Sequence, residues 1–274
     1  MLRLPMELYL SIFEHLDKRS DIHNLLFLSR DFLQDAERRL YQTVSLKEVD
    51  LNSSLSLFRR LAAPDQSRIA KYVRDLDIWS TVLDPPNYPL IHQALKSTTN
   101  LRRLSVEGLL WGPSDGEDVF LISGCTFELI SLHTSAFDVT YSSVLERQTS
   151  LEELSIGHVN GYQPWDMADV VHSVMLPNLK LLSCTANDVA YFLGDPRSLK
   201  CIHFTAGIPD SLGDRSITEL VSMSLELVSF EPDILQSILA PFPSLRYFRC
   251  SISDYEPPGV SICLFCSKGP PDLP

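Results

Sequence analysis

Glycine, cysteine, basic charge and long apolar runs are all scarce in this chain, and each scarcity closes off a class of protein. With 11 glycines in 274 residues, 45% hydrophobic and 21% charged residues, the composition falls outside the disordered and low-complexity classes and predicts a packed core. The 23 basic residues are outnumbered by 35 acidic ones, a formal net charge of −12. That balance opposes both the counterion release behind nucleic-acid binding and the attraction to anionic lipid. Neither nucleic acid nor a membrane is expected as a partner. No apolar run approaches the roughly 18 residues that cross a bilayer. The LRLPMELYL that follows Met1 lacks the basic region and cleavage site of a secretory signal. A cytoplasmic or nuclear protein, or one in both compartments, is the expectation.

Six cysteines (Cys125, Cys184, Cys201, Cys250, Cys263 and Cys266) share no common spacing and should remain thiols in a reducing compartment. Cys263 and Cys266 form the one close pair. With no second pair and no neighbouring histidine it falls short of the four ligands of structural zinc, so neither metal nor cofactor is expected. Catalytic motifs are missing too: there is no nucleophile elbow, Walker loop, HExxH or paired-carboxylate context. His133 and His203 fall on one predicted strand face but repeats apart, and nothing marks any cysteine as an activated thiol. The expectation is a non-catalytic protein, although alternating strands and helices alone do not specify function.

What is present begins with three short predicted helices in the first 44 residues. Pro5 suits a first helical turn, and that helix should run to about Leu16. Ser20 or Asp21 can cap the second, which carries Ile22, Leu25, Leu26 and Leu28. The third, from about Arg30, sets Phe32, Leu33, Ala36 and Leu40 against Asp35, Arg38 and Arg39, and Tyr41 closes the module. On the first helix Glu7, Ser11, Glu14 and His15 form a narrow polar stripe, while Met6, Leu8, Tyr9, Leu10, Ile12, Phe13 and Leu16 cover the rest. That is more apolar surface than one small core consumes. A module this short rarely folds without a partner, so the surplus predicts an interface.

The order Leu4-Pro5-x-Glu7-Leu8-x-x-x-Ile12-Phe13-x-x-Leu16, an Asp-led second helix, Leu28-Ser29-Arg30-x-Phe32 and a closing Leu40-Tyr41 resembles an F-box. The resemblance covers about residues 2–44 and departs at Ser29, where family members often have cysteine. It implies binding to the adaptor subunit of an SCF-type cullin-RING ubiquitin ligase, and through the adaptor to a cullin. The positions it nominates are Leu4, Pro5, Leu8, Ile12, Leu26, Leu28 and Phe32.

Beyond the module one segment recurs: VRDLDI at 73, LRRLSV at 101, FELISL at 127, LEELSI at 151, LKLLSC at 179, LKCIHF at 199, LELVSF at 225 and LRYFRC at 245, at intervals of 20 to 28 residues. Apolar residues at positions one, four and six are cheap in such a chain. The second position is more telling, because Arg74, Arg102, Glu128, Glu152, Lys180, Lys200, Glu226 and Arg246 are all charged. Independent hits in all eight copies have a chance on the order of a few in a million. The residue before the first apolar one is Ser or Asn in six copies: Asn100, Ser150, Asn178, Ser198, Ser224 and Ser244. Amphipathic segments such as PLIHQALKS, DVTYSSVLERQ, MADVVHSVML, ITELVSM and ILQSILA lie between the copies.

Strand–helix alternation at this period predicts an α/β fold: a curved solenoid of parallel strands over residues 73–256, each unit burying its face against its neighbours. It resembles degenerate leucine-rich repeats, which F-box chains commonly carry. The polar ladder at position nine is mostly missing, with Asn187 the one asparagine there. Residues 45–72 are expected as a bridging helical segment, with SLSLFRRL as a helix, and 257–274 as a flexible tail. Strand alternation sends positions three, five and seven of each copy to the concave face. Trp79, Arg103, Tyr247 and Arg249 on that face are the candidate contacts to a target protein, since Trp, Tyr and Arg dominate binding hot spots. The expected function is a substrate receptor of an SCF-type ubiquitin ligase that selects proteins for ubiquitin-dependent degradation; a non-degradative interaction scaffold is the alternative.

Overall fold

Alternation of buried and exposed residues along short strands sets the architecture. A computed structural model describes residues 8, 11, 15–16, 18–27, 30–64, 67–79, 82–109, 111–114, 117–138, 142–157, 159–160, 176–185, 199–205, 219–227, 242, 244–252 and 261–265. Predicted elements elsewhere, including MADVVHSVML and ILQSILA, lie outside the described residues apart from Leu176. The chain divides into two compact units, residues 1–105 with 112–127 and residues 106–111 with 128–274.

In the first unit, helices α1 (Arg19–Leu25) and α2 (Arg30–Gln42) follow Leu8 and Ser11, which are themselves helical. Helix α1 starts earlier than predicted, at Arg19. Lys18 is its N-cap and makes no side-chain capping bond, while Asp21 sits inside the first turn and Ser20 bonds to it. Strand β1 (Thr43–Ser45) leads directly out of α2 and pairs in parallel with β2 (Asp75–Ile78), setting Val44 beside Leu76. The parallel array therefore starts about thirty residues before the predicted boundary at 73, and YQTVSL at 41–46 is an extra copy of the repeat. Its helices are α3 (Leu51–Ala62) and α4 (Ser67–Tyr72), which occupy the predicted bridging segment. Asp50 caps α3 by accepting from the Ser53 N–H at 3.0 Å. Helix α5 (Tyr88–Ser97), at PLIHQALKS, leads to β3 (Arg103–Leu109), whose beginning belongs to this unit. Leu76, Ile78, Phe58, Leu61, Ile91 and Leu95 are among its buried side chains. A 2.6 Å ion contact between Glu37 and Arg68 joins α2 to α4.

After β3, strands β4 (Trp111–Ser114) and β5 (Glu117–Phe120) pair as a separate small sheet. The second unit holds β6 (Ser131–Asp138), a short helix α6 (Ser142–Glu146), β7 (Glu153–Ile156), β8 (Val159–Asn160), β9 (Leu181–Cys184), β10 (Cys201–Phe204), β11 (Ser222–Leu227), β12 (Tyr247–Ile252) and β13 (Ser261–Phe265). Its sheet runs β6-β7-β9-β10-β11-β12-β13, with β8 beside β6. All the pairings through β12 are parallel. The chain thus has a parallel-strand, solenoid-like α/β arrangement.

The pairing corrects two copies of the repeat. Leu132 stands opposite Leu154, and Met223 stands between Ile202 and Phe248. The third copy is therefore LISLHT at 129, two residues later than FELISL, with Thr134 buried at its sixth position. The seventh is LVSMSL at 220, five residues earlier than LELVSF, with Leu220, Met223 and Leu225 buried. In both places two overlapping apolar frames exist in the sequence, and pairing with the neighbouring strands selects one. The same shift makes Ser222 and Met223, the end of the predicted helical ITELVSM, part of β11.

A shared backbone device holds the copies in register. In six copies the carbonyl of the second position accepts the N–H groups of positions two and three in the next copy: Arg74 from Arg102 and Arg103, Ile130 from Glu152 and Glu153, Glu152 from Lys180 and Leu181, Lys180 from Lys200 and Cys201, Lys200 from Val221 and Ser222, and Val221 from Arg246 and Tyr247, all between 2.7 and 3.0 Å. In three copies the Asn or Ser before the first position adds a second rung. Asn100 Nδ2 donates to the Lys71 carbonyl at 2.7 Å, Asn178 Nδ2 to that of Thr149 at 2.8 Å, and Ser150 Oγ to Glu128 at 2.8 Å. The predicted flexible tail is also corrected, since β13 lies antiparallel along β12 with Cys263 opposite Arg249. An added antiparallel strand covers the row of N–H and C=O groups that would otherwise end the parallel array.

Candidate functional site

The N-terminal helices pack around a small cluster in which Ile22 and Ala36 are buried and Leu16, Leu25, Leu26 and Leu40 are partly buried. Two arginines tie the turns to it. Arg19 donates to the Leu40 carbonyl at 2.9 Å and Arg39 to that of Leu16 at 3.4 Å. Of the nominated adaptor contacts, Leu8 is helical and 50% exposed, whereas Leu26 turns inward. Phe32 lies in α2, and Leu4, Pro5, Ile12 and Leu28 lie outside the described residues.

Phe27, absent from the nominated set, is 77% exposed and makes an edge-on ring contact to His23 at 5.2 Å. The signal was in the spacing. Ile22, Leu25 and Leu26 occupy i, i+3 and i+4 on one face, and Phe27 falls a further 100° round.

On the first unit the odd strand positions carry a network of polar and aromatic groups. Thr43 Oγ1 donates to Asp75 at 3.2 Å and Ser45 Oγ to Asp77 at 3.0 Å. Arg103 approaches Asp75 at 3.8 Å, an exposed contact of small energetic weight. The Lys47 ammonium sits 4.9 Å from the centre of the Trp79 ring. Lys47 is held there by the turn after β1, in which Glu48 adopts a left-handed φ of 64° and Val49 N–H bonds to the Leu46 carbonyl. The candidate contacts Trp79 and Arg103 thus belong to one polar patch, with the Trp79 ring half-buried beneath a cation.

On the second unit, register places His133, Ser155, Ser183, His203, Ser224 and Arg249 in one row at the fifth position. The third position supplies Ser131, Glu153, Leu181, Cys201, Ser222 and Tyr247 in a parallel row. The predicted association of His133 and His203 is real, with two serines between them. At about 4.8 Å per strand they stand roughly 14 Å apart, too far to share a proton or a metal ion. Tyr247 and Arg249, the other two candidate contacts, are exposed neighbours on β12.

Burial favours the neutral form of Cys125, Cys250, Tyr88 and His92. Burial pushes the Cys125 thiol up to about 12 despite nearby Lys96, and raises that of Cys250. This is the reverse of thiol activation. Tyr88 is likewise pushed up to about 12 by burial. His92 is lowered by burial first and by Lys96 second, against the raising effect of its 2.8 Å bond to the Leu121 carbonyl. Among the described residues no three potential ligands group as a metal site, and no helix is long and apolar enough to cross a membrane. Compared with known proteins, the chain matches no family model and no curated protein.

Proposed function

We propose that this chain is a substrate receptor of an SCF-type cullin-RING ubiquitin ligase, a non-catalytic subunit. In this reading residues 1–44 are an F-box that docks on the adaptor subunit, and the parallel array is a set of degenerate leucine-rich repeats whose concave face holds a target protein. The observation that carries the reading is a small helical module that leaves Leu8 and Phe27 uncovered and leads straight into a repeat array. Exposed apolar side chains on a helical module support an interaction surface, and the motif order from Leu4 to Tyr41 names its partner by resemblance. The adaptor contacts in this reading are Leu4, Pro5, Leu8, Ile12, Phe27, Leu28 and Phe32.

Pull-down of the SCF adaptor by the full chain tests this, with a Leu4/Pro5/Leu8 triple alanine variant as control. Capture by the wild type and loss in the variant are expected. No capture by the wild type sinks the proposal. Whether a protein held by the array accumulates in cells when this chain is removed separates a degradative receptor from a scaffold.

A further inference from the structure

Register on the second unit brings together two rows of different chemistry. From β9 to β12 the fifth-position row runs from Ser183 through His203 to Arg249, and the third-position row from Leu181 to Tyr247. In a chain of net charge −12, neither row holds a carboxylate over these four strands. In the fifth-position row Ser183 is buried, and Ser224, His203 and Arg249 offer hydroxyl, imidazole and guanidinium donors. The third-position row ends in two exposed large side chains, Leu181 at 36% and Tyr247 at 55%.

We propose that these two rows bind an extended segment of a partner protein in which acidic and apolar residues alternate. An extended chain laid across the strands sends successive side chains to opposite sides. One set then meets the donor row and the other the third-position row, whose two ends, Leu181 and Tyr247, are apolar. The four strands span about 14 Å, which matches four or five residues at about 3.3 Å each. Arg249 fixes the polarity, taking a carboxylate at the β12 end in a charge-assisted bond. Arg249, like His203 and Tyr247, also interacts within its own chain, but five N–H donors serve more than one acceptor. The inference deepens the receptor reading by naming a target class, and it rests on that reading only for its biological meaning.

The test is fluorescence anisotropy of the full chain with labelled hexapeptides: Glu-Leu-Glu-Leu-Glu-Leu, its lysine-for-glutamate and serine-for-leucine counterparts, and a phosphoserine-for-glutamate version. The alternating acidic peptide should bind at least about tenfold tighter than the lysine and serine peptides. Arg249→Glu, and more mildly Arg249→Gln, should weaken it by about tenfold or more. Tyr247→Ala should weaken it too, whereas Lys200→Glu, at an exposed second position off this face, should not. Thermal melts show that each variant is folded. Equal binding of the lysine peptide, or a folded Arg249→Gln variant with unchanged affinity, overturns the proposal. Phosphoserine binding an order of magnitude tighter overturns the assignment to carboxylates. Adaptor capture by the same variants reports separately on the receptor reading, because none of these positions lies in the N-terminal module.

Discussion

If the chain is the proposed receptor, removing the Phe27 ring should damage adaptor binding far more than folding. A phenylalanine side chain offers about 200 Å² of apolar surface. With Phe27 77% exposed, roughly 150 Å² remains to be covered by a partner, an upper limit of about 4 kcal/mol at 25 cal/mol per Å². Association costs take back part of that, so Phe27→Ala should lose about 2–3 kcal/mol of binding, a weakening of roughly 30- to 150-fold. Only about 50 Å² of the ring is buried in the free chain, worth about 1 kcal/mol. The edge-on contact with His23 adds about 0.5–1 kcal/mol. Stability should therefore fall by no more than about 2 kcal/mol. Calorimetric titration of the adaptor, run beside urea unfolding, reads both quantities, and Phe27→Leu should recover most of the affinity. If the wild type binds and Phe27→Ala binds within about threefold of it, the ring is not an anchor and the argument from its exposure fails. A stability loss above about 3 kcal/mol would instead make Phe27 a core residue.

Three further outcomes follow from the fold. Gly157→Ala should destabilise the second unit by about 1–2 kcal/mol in urea unfolding, because the added Cβ would stand 2.7 Å from the Ser135 carbonyl oxygen, which a sheet cannot move cheaply; the reduced freedom of the unfolded chain offsets about 0.4–1 kcal/mol. Met223→Ala should cost about 2–5 kcal/mol, since Met223 is 1% exposed and packed between neighbouring strands; a cost near zero would restore the frame starting at Leu225. His92 is held below its ordinary value of 6.5, so the unfolded chain binds the extra proton first. Its contribution is complete above about pH 6.5 and declines as pH falls toward the lowered folded value. The urea midpoint of the wild type should drop between pH 7 and 5 by more than that of His92→Gln.

Much of the array was legible because strand alternation writes itself into sequence. Positions one, four and six of the copies at 73, 101, 151, 179, 199 and 245 are the buried residues found there, from Val73, Leu76 and Ile78 to Leu245, Phe248 and Cys250. The extra copy, YQTVSL, was hidden because Tyr41 and Gln42 end a helix, so local pattern assigned them to the module. The seventh was misread because Leu225 is apolar in either frame, and a shift of an odd number of residues moves every neighbour to the other face. Strand β13 was invisible for another reason: a Pro- and Gly-rich flank predicts loop, while pairing along β12 comes from a neighbour distant in sequence. At the site, the rows on β9 to β12 needed the pairing register, which no single repeat contains.

The charged second position, which revealed the period, has a cause other than charge. What each copy needs there is a carbonyl aimed at two N–H groups of the next copy, a backbone role that any residue can fill. The side chain of that residue is left at the sheet margin, exposed in Arg74, Arg102, Lys180, Lys200 and Arg246, and solvent exposure is what admits charge. Ion pairing between successive copies contributes little: Lys180 meets Glu152 at 2.8 Å with both side chains near half-exposed, where such pairs are worth about 0–1 kcal/mol. Ile130 and Val221 fill the same role without charge, and both are half-buried. These are the two copies whose frame the charge rule misplaced, because it took Glu128 and Glu226 as the second position. Charge at the second position therefore goes with exposure in five copies, Glu152 being charged and only part-exposed, and the paired N–H groups on one carbonyl record register; where the two disagree, the hydrogen bonds locate the copy.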